Sequence, residues 1–283
     1  MLKTNRDRLP MISVQGQVSQ PTFGSPKVDT QGRIHMMPGT GGIAYNVKIG
    51  DPCCGWMGDH IEPGVSTKNT DANMNKAYTL YSCIGNEATI ISGEAKGAKG
   101  FVTGKHGGIE NTMIYFDDET LLKMSNDDKI LVKAQGQGMK LLDYPDVVLR
   151  SVSPTLLDKM NITEEGGKLK IGVAKCAPAK IMGSGLGSMT SASGDYDITL
   201  FDEEISAEYG LMDLRFGDLV ALIDADTRFG RTYMTGAVTI GVIVHSDCIA
   251  PGHGPGVTTL MCALDNLIVP VIDPKANLKD MFL

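Results

Sequence analysis

From Ala77 to Asp143 the chain is cut by Gly, Asn and Asp into short β-branched or aromatic runs: "AYTLYSCIG", "EATIISGEA", "GFVTGKHGG", "NTMIYFD" and "DKILVKAQGQGMKLLD". Branched and aromatic side chains lose rotamer freedom in a helix and pack well on a pleated surface, while Gly, Asn and Asp supply the turns. The pattern predicts short antiparallel strands. The second half repeats it. "KLKIGVAKCAPAKIMG" reads as strands and "GDLVALIDADTRFGRTYMTGAVTIGVIVHSD" as a β-meander. "NLIVPVID" reads as a last strand in which Pro270, lacking an N–H, favours an edge. Helical signals are few. "DETLLKMSNDD" suggests one short helix or turn, "SPTLLDKMNITEEGGKL" has Ser153 as N-cap, Pro154 at the first helical position and Gly166-Gly167 as its stop, and "DEEISAEYGL" suggests a third.

The fold expected is therefore mainly β with minor α (α+β), built as two packed β-rich halves of short antiparallel strands. Residues 1–155 form the first half, with a Gly-rich leading segment. Residues 156–283 form the second, with the site at the interface between them. "DDKILVKAQ" and "FGDLVALID" hint that the halves are related. Residues 1–75 show little periodicity; a structureless stretch of that length is improbable in a compact domain, so short strands and functional loops wrapped on the rest are expected there. No βαβ rhythm supports a Rossmann fold, and "GSGLGS" lacks both that context and a final glycine, so it is set aside as a dinucleotide site.

The 283 residues suffice for a sizeable core, and 42% hydrophobic with 21% charged residues excludes a disordered chain. A net charge of −7 argues against a basic nucleic-acid-binding face. No apolar run approaches the roughly 20 residues of a membrane span, and "MLKTNRDRLPMISVQGQ" holds no apolar signal core. The expectation is a cytoplasmic protein acting on a small molecule, with neither nucleic acid nor membrane as partner. The six cysteines read as thiols. The long irregular N-terminal segment suggests a homo-oligomer.

Chemistry-bearing residues gather in loops. "HSDCIAPGHGPG" (245–256) follows the apolar run "GAVTIGVIV" and holds His245, Asp247, Cys248, His253 and Gly254; "GDHIEPG" holds Asp59 and His60, and "TGKHGG" holds His106. Imidazole with carboxylate is the donor set of zinc and similar divalent ions. His245 and Asp247, two apart, share a face if that segment is extended, and His253 can be returned to it by the Gly/Pro loop. "SASGDYDI" sets Asp195 and Asp197 on one face, suited to a metal, to a general base, or to capping a turn. Cys54 and Cys248 are the candidate nucleophiles. Gln135 and Gln137 of "KAQGQG" can bind an amide or pair with a neighbouring strand. Arg228 and Arg231 flank Gly230 and can hold a carboxylate or sit in surface ion pairs. "GTGG" (39–42) and "GSGLGS" (183–188) can present backbone N–H groups to an anion.

Together "GDPCCGWMGDHIEPGVS", "GFVTGKHGG", "VKAQGQG" and "GAVTIGVIVHSDCIAPGHGPGV" resemble, over most of the chain, a prokaryotic family catalogued as a domain of unknown function; the resemblance implies a β-rich two-part fold. "SASGDYDITL", "FGDLVALID" and "GAVTIGVIVHSD" also run in the same order as a stretch of the acetamidase/formamidase family. That likeness implies metal-assisted amide hydrolysis with Asp195, Asp197 and His245 lining the site. The chain departs from that family in carrying "GHGPGV" where an acidic Gly-Asp-Gly-Glu-type loop is expected.

The leading expectation is a hydrolase of a C–N bond in a small amide or cyclic amide, using a zinc-like divalent metal. His60, His106, His245, His253 and Asp59 are its metal-site residues, Asp247, Cys248, Cys54 and Asp195 its catalytic ones. Gln135, Gln137, Arg228 and Gly254 are its substrate-binding ones. Two alternatives stand: metal-free Cys/His isomerase or lyase chemistry on a small acid, and a non-catalytic ligand-binding or assembly protein.

Overall fold

The computed structural model describes residues 2–23 and 25–283. The first half supplies nine strands: β1 (Ile12–Val18), β2 (Lys27–Val28), β3 (Ile34–His35), β4 (Ile43–Ala44), β5 (Gly64–Lys68), β6 (Glu87–Ile90), β7 (Lys99–His106), β8 (Asn111–Tyr115) and β9 (Lys129–Ala134). All but the β2–β3 hairpin join one antiparallel sheet of order β1-β9-β6-β7-β8-β5-β4, and β1 also pairs with β5 through Gln17–Lys68 and Val18–Thr67. That second pairing closes the sheet into a barrel, which satisfies edges that would otherwise be left open.

The remaining strands are β10 (Val148–Leu149), β11 (Ile162–Glu165), β12 (Lys168–Val173), β13 (Lys175–Pro178), β14 (Leu219–Asp226), β15 (Thr232–His245), β16 (Gly256–Ala263) and β17 (Ile268–Ile272). They form a five-stranded sheet, β10-β16-β15-β14-β13, and a three-stranded one, β11-β12-β17. β17, which carries Pro270, lies at an edge. The mainly β, minor α class holds, but β12–β17 and β13–β14 pair in parallel. Each parallel pair is joined by a long connection, as parallel geometry demands. The similar segments "DDKILVKAQ" and "FGDLVALID" occupy unlike places: β9 is antiparallel on both sides, while β14 is antiparallel to β15 and parallel to β13.

Three elements depart from the sequence reading. The segment expected to be helical from Ser153 to Gly166 is helix only over Pro154–Lys159; β11 then pairs with β12 across the Gly166-Gly167 turn. Residues 77–81, expected as strand, end a helix, α1 (Ala72–Tyr81), because the Asp71 carboxylate caps it by accepting from the N–H groups of Asn73 and Met74. Tyr78 of that helix is buried, its hydroxyl 2.7 Å from Thr67 Oγ1. β16, not singled out from the sequence, is buried at every position. The other helices are short and start on side-chain caps: α2 (Asp118–Lys123) on Asp117, α3 (Pro154–Lys159) on Ser153, α4 (Glu203–Glu208) on Asp202 and α5 (Leu278–Phe282) on Asn277. No helix among the described residues is long and apolar enough to cross a membrane.

One apolar cluster runs through both halves, from Val102, Met113, Ile130 and Val132 of the barrel to Ile240, Val242, Leu260 and Met261 of the five-stranded sheet. A second cluster, with Tyr196, Ile198, Phe216, Ile243 and Val257, underlies the loops at the ends of β15 and β16. β7 is tied directly to β16: the Thr258 hydroxyl accepts from the Lys105 N–H and donates to the Lys105 carbonyl. The last residues of β7 and β15, His106 and His245, thereby reach one place.

Candidate metal centre

Both strands bulge just before these histidines. The β7–β8 register shifts between Val102 and Gly104, and the β15–β16 register between Ile243 and His245. A bulge re-aims the side chains beyond it, and here the two rings stack with centroids 4.2 Å apart. His60 arrives from the 53–62 loop, which is clipped to the end of β15: Ile61 N–H donates to Ser246 Oγ and Ser246 N–H to Ile61 O, both at 2.9 Å. His60 has φ +56°, the left-handed region that a non-glycine residue occupies only when its surroundings hold it there. Its ring lies 4.9 Å from that of His245 and 5.6 Å from that of His106.

Each of these three buried rings has Nδ1 engaged. His245 Nδ1 donates to Ser246 O (2.8 Å), His106 Nδ1 to Glu62 Oε1 (2.7 Å), and His60 Nδ1 faces Asp59 Oδ2 (3.2 Å). In a neutral ring an Nδ1–H held this way leaves the lone pair on Nε2, the usual arrangement behind a metal-ligating histidine; His60 Nε2 also lies 3.3 Å from His253 Nδ1. The available donor atoms of His60, His106 and His245 lie within 4.8 Å of one another.

The carboxylates come from the 194–197 loop, brought in where glycine meets glycine: a Cβ on Gly194 would stand 2.9 Å from the Cα of Gly107. Asp195 Oδ1 accepts from Gly107 N–H at 2.9 Å. Its Oδ2 lies 2.6 Å from His245 Nε2, and Asp197 Oδ1 lies 3.6 Å from the same nitrogen. Asp195 Oδ2 and His245 Nε2 are both buried, and neither has a hydrogen-bond partner beyond this contact. Asp197 Oδ2 faces His253 Nδ1 at 3.2 Å and His60 Nε2 at 4.0 Å. The donors thus fall into overlapping groups, Asp195–Asp197–His245 and His60–Asp197–His253, sharing Asp197.

Electrostatics follow from burial opposed by pairing. Burial works against a charged His245, but Asp195 and Asp197 outweigh it and hold the imidazole well above its ordinary range. Burial likewise disfavours ionised Asp195 and Glu62, yet neighbouring imidazoles and backbone N–H groups hold both below the usual carboxylate range. Burial pushes His60 down, with His245 and His106 adding to it against the hydrogen bond to Asp59. The centre opens into a cleft of about 560 Å³ bordered by Lys27, Asp59, His60, His106, Asp195, Asp197, Arg231 and His253.

The sequence-derived residues divide accordingly. Asp59, His60, His106, Asp195, His245 and His253 come together. Asp247 does not share the face of His245: extended structure ends at His245, and the Asp247 carboxylate turns back to accept from Gly55 N–H (3.2 Å). Cys248 donates from Sγ to Asp59 Oδ1 (2.8 Å), and burial with this contact pushes its thiol up to about 12. Cys54 is half-buried with its Sγ 3.7 Å from that of Cys53, outside the cleft. Gln135 and Gln137 turn away, their side-chain amides donating to Leu9 O (3.4 Å) and Leu80 O (2.7 Å). Arg228 forks onto Asp226, with Nε and Nη2 each 3.0 Å from a carboxylate oxygen. Gly254 N–H reaches Asp197 Oδ2 at 3.4 Å, so its part is to position that carboxylate. Glu62 was not singled out from the sequence. It accepts from Gly41 N–H, Ser66 Oγ, His106 and Asn111 Nδ2, and its only signal was its place two residues after His60.

The solved structure of TM1086 is similar to this chain over 100% of its length and 99% of that chain, with a TM-score of 0.95 and 45% sequence identity. No curated protein matches it. The family models that match are the N-terminal and C-terminal parts of DUF4438, described as a domain of unknown function, over residues 26–158 and 159–282. These matches lend no support to the likeness to acetamidases and formamidases. Matched by both models over nearly its whole length, the chain belongs to the DUF4438 family.

Proposed function

We propose that the cluster is a divalent-metal centre and that the protein is a hydrolase of a C–N bond in a small amide or cyclic amide. The observation that carries the metal is that two ligand-sized groups, His60–His106–His245 and Asp195–Asp197–His245, share His245, with the Nδ1 atoms of His106 and His245 committed elsewhere. The 2.6 Å contact between Asp195 Oδ2 and His245 Nε2 in a buried site needs a positive charge, supplied by a proton on His245 or by a metal ion that takes its place. The mixed nitrogen and oxygen donor set suits zinc or a similar ion. Such an ion supplies an activated water and polarises a carbonyl. His60, His106, His245, Asp195 and Asp197 hold it. Asp59 and Glu62 orient His60 and His106. His253, the only one of the four imidazoles with substantial side-chain exposure, carries a proton between Asp197 and the leaving nitrogen.

The thiol alternative is disfavoured by Cys248 itself, which donates to Asp59 and is held protonated far above neutral pH. The test is metal analysis of untagged protein, with hydrolysis of an amide panel before and after chelation. Stoichiometric metal and chelator-sensitive turnover are expected. His245→Ala loses the metal, whereas His253→Ala keeps it and loses turnover. Absence of stoichiometric metal, or activity that survives chelation, refutes the centre; bound metal without turnover on any amide refutes the hydrolase.

A further inference from the structure

One charged group in the cleft is not used by the centre. Arg231 is 4% exposed and borders the cleft. Its backbone is clamped by the "GSGLGS" loop: its N–H donates to Ser188 O (3.0 Å), and its carbonyl accepts from Gly187 N–H (2.8 Å). Its guanidinium is not matched in this way. Nη2 makes one long contact, 3.4 Å to Ser193 O, and Nε is buried without an acceptor. Among the described residues it enters no ion pair, whereas Arg228, three residues earlier, is satisfied in a fork on Asp226. The missing side chain of Gly185 leaves space beside it, since a Cβ there would stand 3.3 Å from Arg231 Nη1 and 2.8 Å from Asp195 O.

A guanidinium cannot shed its charge at ordinary pH, so one buried with only a long contact to Ser193 O and the Tyr196 ring 5.9 Å from its Cζ, and no carboxylate paired to it, calls for an anion. The nearby carboxylates, Asp195 and Asp197, are already committed to the imidazole cluster. We propose that Arg231 forms the anion subsite of this cleft and that the substrate is a small amide bearing a carboxylate. Nη1, beside the space left by Gly185 and without a hydrogen bond among the described residues, is the edge a carboxylate meets, with Nη2 as the second donor of the fork. A lone guanidinium close to two carboxylates suits a monoanionic group better than a phosphate dianion, which needs several donors. The position of the scissile amide rests on the metal-hydrolase reading; the anion subsite does not.

The experiment is calorimetric titration of the full chain, metal-free and zinc-loaded, with succinate, succinamide and inorganic phosphate. Succinate is expected to bind both forms, with succinamide at least 10-fold weaker. Arg231→Met is expected to weaken succinate by about 10- to 100-fold, leaving succinamide binding and zinc content unchanged. Arg231→Lys, which keeps the charge and loses the fork, recovers only part of the affinity and serves if the Met variant does not fold. Succinate affinity equal in wild type and both variants, or phosphate binding tighter than succinate, overturns the subsite. If zinc does not bind while succinate binding still depends on Arg231, the metal reading fails and the subsite stands. If zinc binds and Arg231 does not matter, the reverse holds.

Discussion

Gly256 opens β16 directly opposite His245, and a methyl group there would collide with both Asp195 Oδ2 and His245 Nε2. Ordinary contact between heavy atoms needs about 3.5 Å, so each of the two atoms must retreat by roughly 1.3–1.4 Å to admit the carbon. Metal–ligand distances tolerate only about 0.2 Å. Gly256→Ala therefore displaces two ligands at once without touching charge, donor identity or a left-handed glycine. The structural cost is that of overpacking, about 1–3 kcal/mol, or on the order of 2–10 °C in Tm for a chain of this size. Loss of a merely orienting partner costs about 10- to 100-fold in metal affinity, and direct displacement of two ligands exceeds that. The assay is zinc affinity by competition with a chromophoric chelator, alongside thermal unfolding of the metal-free protein. A folded Gly256→Ala variant that binds zinc as tightly as wild type would refute the placement of the ion at Asp195 and His245.

Three further outcomes are expected. Glu62→Gln keeps one acceptor oxygen for four donors, so it lowers metal affinity about 10- to 100-fold; unchanged zinc affinity refutes the orienting role of Glu62. Cys248, with its thiol up at about 12, resists iodoacetamide in the native protein at pH 8, as followed by mass spectrometry; rapid labelling refutes its engagement with Asp59. Lys105 is fully buried, and burial lowers its ammonium from 10.5 to about 8. The folded state therefore holds this proton less firmly than the unfolded chain. The penalty, about 3 kcal/mol, is complete below pH 8 and disappears as the pH rises from about 8 past about 10.5. The two carbonyls Lys105 contacts also accept from Gln137 and Ser151. Lys105→Met therefore stabilises at pH 7 and flattens the difference from wild type between pH 8 and 10 in urea titrations; a destabilised variant at pH 7 counts against this.

The strands were legible because β-branched residues cut by turn formers leave few other solutions, and the short helices because Asp117, Ser153 and Asp202 cap them locally. α1 was not legible, since its start depends on Asp71 lying before a run that looks like strand and on Tyr78 finding Thr67 across the barrel. The histidines announced themselves by their glycine-rich loops. Asp247 misled because spacing of two implies a shared face only within an extended segment, and the chain leaves that state at His245. Gln135, Gln137 and Arg228 carry suitable chemistry, but nothing in local sequence distinguishes a donor that meets substrate from one that meets a carbonyl or Asp226. Glu62 is the converse: its importance comes from four donors scattered between residues 41 and 111, a convergence that exists only after folding.

The donor cluster sits at the seam of two sheets: His106 ends a barrel strand, His245 ends a strand of the five-stranded sheet, and Asp195 lies in a loop between β13 and β14. No short peptide cut from the sequence holds the donor set, so binding is a late event, available only to a chain whose halves have docked. If the cluster holds an ion as proposed, loading reports on assembly: a molecule with either sheet misregistered keeps its histidines and brings them to no common place.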